Sequence, residues 1–210
     1  MITKYRRLSL IAAIILVLFM MVRFDEGTLM TVESTWMQYE NPEDAGFSRE
    51  KLNDAKAYYD RLNSTAAMVI YDGIVLAAWG DVAKNTNAHS VRKSFLNALY
   101  GRAVDQGKIH LDTTLNELHF EQYSRISHEE GEARISDLLK SRSGVYLEAG
   151  EESLSMRRQR PKRGAYEPDT HFYYNNWDFN ALGFIYNLQT ESDLFRDFKQ
   201  HIADPLGMED

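Results

Sequence analysis

The chain has 210 residues, 44% of them hydrophobic and 26% charged, with only 4 prolines. That length holds one domain with a sizeable core, and the composition excludes a disordered chain. The lack of cysteine excludes a disulfide scaffold, a thiolate zinc site and a cysteine nucleophile, and a formal net charge of −7 argues against nucleic acid as a partner.

At the start, Lys4, Arg6 and Arg7 precede an uncharged run, Leu8 to Val22, closed by Arg23. A basic stretch followed by an apolar one is the layout of an export signal. Met20, Met21, Val22 and Arg23 are too large for a small-x-small cleavage site, and without cysteine there is no lipoprotein anchor. Residues 1–24 therefore read as a signal anchor, with a cleaved signal peptide as the alternative. The run over residues 8–22 is short against the about 20 apolar residues of a spanning helix. The positive-inside rule leaves the N-terminus in the cytoplasm and the rest outside it, periplasmic or extracellular.

Residues 25–41 show no periodicity and read as a tether; residues 42–210 read as the domain. Ser48 is placed as an N-cap, with Leu52, Ala55, Tyr59 and Leu62 following at helical spacing. Two apolar runs, Ala66 to Tyr71 and Ile74 to Trp79, flank Asp72-Gly73. Such a pair predicts a hairpin, because both turn positions favour positive φ. From Ser90 the pattern turns helical, with Val91, Phe95, Leu99 and Ala103 near one stripe and Gly107 as the stop. Gly101 sits inside this helix, where glycine costs roughly 1 kcal/mol relative to alanine; close packing against a neighbour is one explanation. Ile135 to Leu139 reads as a short helix broken at Ser143-Gly144, and Glu151 to Arg163 as a polar, basic loop. Two further helical patterns, Trp177 to Asn187 and Ser192 to Ile202, lead to Pro205-Leu206-Gly207-Met208.

The chemistry concentrates at Ser90-Val91-Arg92-Lys93. A serine hydroxyl is a poor nucleophile and needs a neighbouring base. On a helix, positions i and i+3 share a face, so the Lys93 amine can reach the Ser90 oxygen. Burial disfavours the charged form of a lysine, and the helix N-terminus favours a developing oxyanion. The spacing alone is weak evidence, since Ser48-Arg49-Glu50-Lys51 repeats it where the serine reads as a cap. What sets Ser90 apart is its place after a hairpin and at the head of a long apolar helix. His89 does not pair with its neighbour, because adjacent helical residues face different ways, and there is no Gly-x-Ser-x-Gly elbow. The other histidines lack ligand spacing, so neither a metal nor an organic cofactor is expected. The basic residues Arg157, Arg158, Arg160, Lys162 and Arg163 read as a solvated loop, with steering of an anionic substrate as the alternative.

The run His89 to Phe95, then Gly101, Ala103-Val104-Asp105, Gly107-Lys108 and Leu111-Asp112, resembles the serine β-lactamase-related hydrolases. That superfamily includes class C β-lactamases, penicillin-binding D,D-peptidases and related esterases. Ile135 to Leu139 with Ser143-Gly144, Tyr174-x-Asn176 with Leu182-Gly183, and Pro205 to Met208 follow in the family's order. The resemblance covers about residues 42–210. It implies an α+β, β-lactamase/transpeptidase-like fold: an antiparallel sheet flanked by helices, plus a helical subdomain. By the same resemblance Ser90 is the acylated nucleophile and Lys93 its activating base. Tyr174 relays the proton to the leaving group, and Asn176 binds the acyl-side carbonyl of a small-molecule or peptide-like substrate. Tyr173-Tyr174-Asn175 is also Tyr-x-Asn; the resemblance implies Tyr174 and Asn176, because the distance from Asn176 to Leu182-Gly183 fits the family pattern. Asp169 stands where relatives usually carry glycine, and aspartate tolerates the left-handed region better than most residues.

The family closes its site with a Lys-Thr-Gly or His-x-Gly strand, and neither motif occurs up to Asp210. The resemblance therefore implies that the C-terminal strands are missing from this chain, leaving only the opening hairpin of the sheet. On that expectation the 210 residues alone are poorly folded and nearly inactive. The sequence thus leaves two readings. One is a membrane-anchored serine hydrolase acting on an ester, amide or β-lactam carbonyl. The other is a non-catalytic, membrane-tethered cell-wall binding protein.

Overall fold

The computed structural model describes residues 36–208. The predicted signal anchor and most of the tether lie outside the described residues. Among those described, no helix is long and apolar enough to cross a membrane. The chain, which reads as a single domain from its sequence, divides into two compact units at Thr86/Asn87.

Among its described residues the first unit carries a 3₁₀ turn at Pro42–Ala45, one α-helix and one hairpin. Helix α1, Arg49–Tyr59, starts where predicted: the Ser48 side chain accepts from the Lys51 N–H at 3.3 Å. Strands β1 (Ala66–Tyr71) and β2 (Ile74–Gly80) pair antiparallel, with Asp72 and Gly73 at φ 50° and 76° in the turn. Both turn residues are left-handed, which matches the right-handed strand twist. A bulge between Val69 and Ile70 shifts the register, so Val69 faces Ala77 while Ile70 faces Val75. Residues expected to form a tether contribute here: Val75 donates to the Met37 carbonyl, and the Tyr39 N–H to the Val75 carbonyl. The two aromatic pairs Phe47–Tyr71 and Tyr59–Trp79 pack across the unit.

The second unit is helical and holds a continuous apolar core. Helix α2, Arg92–Asp105, follows a 3₁₀ turn at His89–Val91 and ends before Gly107 in the left-handed region, as predicted. Its buried stripe differs from the expected one. Val91 is 63% exposed, and the buried positions are Lys93, Leu96, Leu99, Tyr100 and Ala103. The 3₁₀ turn tightens the backbone at Val91, so the phase of the α-helical face is set from Arg92 onward. No atom outside the helix backbone stands within 4 Å of where a Gly101 Cβ would sit, so close packing does not explain that glycine.

Helix α3, Ile135–Leu139, breaks as expected, with Ser141 at φ 55° and Gly144 at φ 72°. Gly144 is required for space as well as for its backbone, because a Cβ would meet the Tyr166 carbonyl at 2.8 Å. The segment read as a basic loop contains a helix, α4, Leu154–Gln159. Its cap was there to be read: Ser153 accepts from the Met156 N–H at 3.1 Å. Helix α5, Asn176–Thr190, begins one residue before the predicted start and runs three residues longer. Asn175 caps it, accepting from the Trp177 N–H at 3.1 Å. After α6 (Leu194–Phe198), the helical pattern predicted to run to Ile202 passes into a π-helical turn at Lys199–Ala203, then α7 (Asp204–Leu206).

Leu99, Tyr100 and Ala103 of α2, Ile135 and Leu138 of α3, and Ala181, Leu182 and Ile185 of α5 share one core. Tyr100 donates to the Leu182 carbonyl at 2.7 Å, tying α2 to α5 in the interior. These contacts bring the head of α2 to the head of α5.

Candidate active site

Ser90 lies in the 3₁₀ turn ahead of α2, exposed at the surface. The residue before it, His89, takes a left-handed backbone at φ 43°, with its N–H held by Asn87 Oδ1 at 2.9 Å. Left-handed non-glycine residues are uncommon and favour asparagine, aspartate and histidine. The turn delivers Ser90 to the helix mouth while Lys93, one turn on, points inward and is 9% exposed.

All four residues singled out from the sequence meet at the Lys93 amine. Lys93 Nζ lies 3.1 Å from Ser90 Oγ, 2.9 Å from Tyr174 Oη and 2.8 Å from Asn176 Oδ1. An ammonium has three donors, and three acceptors surround this one. Tyr174 Oη in turn donates to Ser90 Oγ at 2.7 Å. The rings of Tyr174 and Phe179 lie 4.6 and 4.9 Å from the nitrogen, so aromatic faces flank the charge.

Two opposing influences act on the Tyr174 phenol. Partial burial pushes its pKa up, but hydrogen bonds to Lys93 and Ser90 and the charges of Lys93 and Arg92 outweigh that. The net result holds Tyr174 below the ordinary tyrosine value. Arg92, named in the sequence only as part of the Ser90-Val91-Arg92-Lys93 run, was not singled out as a site residue.

The alternative Tyr-x-Asn register goes elsewhere. Tyr173 Oη donates to the Met156 carbonyl at 2.8 Å, and Asn175 is spent on the helix cap and on buried partners. Asn176 also has a second commitment. Its Nδ2 donates to the Glu151 carbonyl at 3.2 Å and faces Met156 Sδ at 3.9 Å. Glu151 acts through its backbone, at φ 58°, so no side-chain pattern could have announced it.

The basic cluster is largely paired. Arg160 bonds the buried Glu152 at 2.8 Å, Arg157 lies 4.0 Å from the same carboxylate, and Arg163 bonds Glu130 at 2.6 Å. Arg163, Glu130, Asp137 and Asp169 line a cavity of about 900 Å³, to which none of the four candidate residues contributes. Asp169 does adopt the left-handed backbone, at φ 63°, and bonds Lys140 at 2.9 Å. Among the described residues no group of histidines and carboxylates has the arrangement to hold a metal.

The α+β arrangement, with a serine and lysine at one helix head and a tyrosine and asparagine at another, defines a β-lactamase/transpeptidase-like fold. The sequence profile of the β-lactamase family matches residues 54–210, and the chain belongs to that family of serine hydrolases. Its fold is similar to that of an octameric penicillin-binding protein homologue from Pyrococcus abyssi (TM-score 0.53, 21% identity, 76% of this chain and 42% of that one). FmtA from Staphylococcus aureus is similar at TM-score 0.55 and 18% identity, over 83% of this chain and 52% of that one. A class C β-lactamase in complex with cefoxitin is similar at TM-score 0.55 and 17% identity, over 80% and 50%. The chain thus spans about half the length of these structures. No curated protein is significantly similar to it in sequence.

Proposed function

We propose that this chain is a serine hydrolase that forms an acyl-enzyme at Ser90 on an ester, amide or β-lactam carbonyl. The observation that carries the reading is the Tyr174 phenol, 2.9 Å from the Lys93 amine and 2.7 Å from Ser90 Oγ, with its pKa lowered from the ordinary tyrosine value. In acylation, Ser90 Oγ bonds to the substrate carbonyl carbon and its proton passes to the Tyr174–Lys93 pair. The tetrahedral centre collapses, the carbonyl–leaving-group bond breaks, and Tyr174 delivers the proton to the departing atom. Water then attacks the acyl-serine by the reverse proton path, which restores Ser90 and releases the acid. Asn176 fixes the Lys93 amine through Oδ1. To donate to a substrate carbonyl, its Nδ2 exchanges the Glu151 carbonyl for the ligand. Residues 1–24 would hold the hydrolase at a membrane with the catalytic unit outside the cytoplasm; their basic-then-apolar order supports this placement.

The test is covalent capture. Incubation with a fluorophosphonate or a penicillin, followed by mass spectrometry, is expected to show one adduct on Ser90 that Ser90→Ala lacks. Retention on peptidoglycan with no adduct would instead favour a non-catalytic wall-binding protein.

A further inference from the structure

Helix α5 buries a carboxylate in its first turn. An acidic residue there ordinarily faces solvent and complements the helix dipole; Asp178 is 0% exposed. Its Oδ1 accepts from Ser143 Oγ at 2.6 Å and from Asn175 Nδ2 at 2.9 Å. Asn175, itself 1% exposed, gives its other Nδ2 proton to the Val145 carbonyl at 2.7 Å, while its Oδ1 accepts from the Trp177 N–H as the helix cap. Ser143 Oγ accepts from the Val145 N–H at 3.0 Å. These bonds form a closed set joining the Ser143–Val145 turn to the head of α5.

The set surrounds Asn175, and the two residues on either side of Asn175 are Tyr174 and Asn176. Both of those hold the Lys93 amine. We propose that Asp178 is a positioning residue: through Asn175 and Ser143 its carboxyl fixes the backbone that aims Tyr174 and Asn176 at Lys93. The proposal rests on the hydrolase reading for its catalytic consequence. A displacement of about 1 Å in such a constellation can cost about 10²-fold in rate.

The carboxyl serves the set through its outline and its Oδ1 acceptor. Its Oδ2 has no hydrogen-bond partner among the described residues, and neither has the buried Tyr146 hydroxyl. Burial pushes the Asp178 pKa well above the usual carboxylate range; the bonds from Ser143 and Asn175 offset part of that, and the nearby Asp137 adds to it. An asparagine side chain presents the same outline and an acceptor in the place of Oδ1.

That equivalence supplies the experiment. The full chain, carrying ¹³C-tyrosine, is titrated by NMR, with the Tyr174 signal assigned by its loss in Tyr174→Phe; Ser90 labelling by a fluorophosphonate is timed in parallel. Asp178→Asn is expected to keep the Tyr174 titration where it is in the parent and to label within about 3-fold of it. Asp178→Ala is expected to raise the Tyr174 pKa toward its ordinary value and slow labelling about 10²-fold. Ser143→Ala, which removes one donor and leaves the carboxyl in place, is expected to move both in the same direction by less. It keeps the test open if Asp178→Ala does not fold. The proposal is overturned if Ser143→Ala and any folded Asp178→Ala leave the Tyr174 titration unmoved, or if Asp178→Asn shifts it as far as alanine does. A parent protein that shows no Ser90 adduct defeats the hydrolase reading, while the titration still decides whether Asp178 positions Tyr174.

Discussion

The chain contains Ser-x-x-Lys twice, and the two copies have different surroundings. At Ser48-Arg49-Glu50-Lys51 the serine caps α1, and it is the backbone N–H of Lys51 that reaches the hydroxyl. Lys51 itself is exposed. At Ser90-Val91-Arg92-Lys93 the amine of the lysine reaches the hydroxyl, and it is buried among Tyr174, Asn176 and Phe179. The same spacing gives a helix cap in one place and a candidate nucleophile–base pair in the other. Residues more than eighty positions away make the difference. A motif of this kind specifies distance along a helix; it does not specify what the far side of the lysine meets.

Removing each lysine in turn tests this contrast most severely. Lys93→Met is expected to slow Ser90 adduct formation by about 10³-fold or more, within the range for loss of a positioned acid–base group. Lys51→Met is expected to leave it unchanged. Equal effects would mean that the burial of Lys93 has no chemical consequence. Next in size is the tyrosine pair. Tyr174→Phe removes the hydroxyl 2.7 Å from Ser90 and is expected to cost about 10²-fold in labelling, while Tyr173→Phe, whose hydroxyl bonds Met156, has little effect. The reverse result would move the site one residue back.

The pH dependence sharpens the same point. With its folded pKa depressed, Tyr174 is expected to give a labelling rate that rises with pH and levels off below the about 10 of an ordinary tyrosine. The sign for stability follows from linkage. The Tyr174 contribution is fully present above the unfolded value and is lost as pH falls through the lower folded one. Both effects should vanish in Tyr174→Phe, and a labelling profile that Tyr174→Phe leaves unchanged would remove the phenol from the proton path. The smallest effect concerns the first copy of the motif. Ser48→Ala is expected to destabilise α1 by about 1 kcal/mol in chemical denaturation without altering labelling, as loss of a helix cap does.

Local physics carried the sequence reading a long way. The Ser48 cap, the Asp72-Gly73 turn, the Gly107 stop and the break at Ser143-Gly144 each depend on residues within a few positions, and each appears where expected. The helix at Leu154–Gln159 was hidden by its charge, because five basic residues masked a short capped turn whose Leu154 is left exposed. The stripe of α2 was misread at Val91, since a 3₁₀ turn precedes the helix and resets its phase.

The sequence by itself determined the family, the hairpin and the helices other than Leu154–Gln159, and it singled out Ser90, Lys93, Tyr174 and Asn176 as candidates, because spacing and residue chemistry are local properties. Only the tertiary structure decided that three acceptors surround the Lys93 amine, that Asn176 also holds the Glu151 carbonyl, and that Asp178 is enclosed behind Tyr174 and Asn176. Burial and contact depend on which helix faces which, and that follows from packing the whole apolar core, not from any one segment of it.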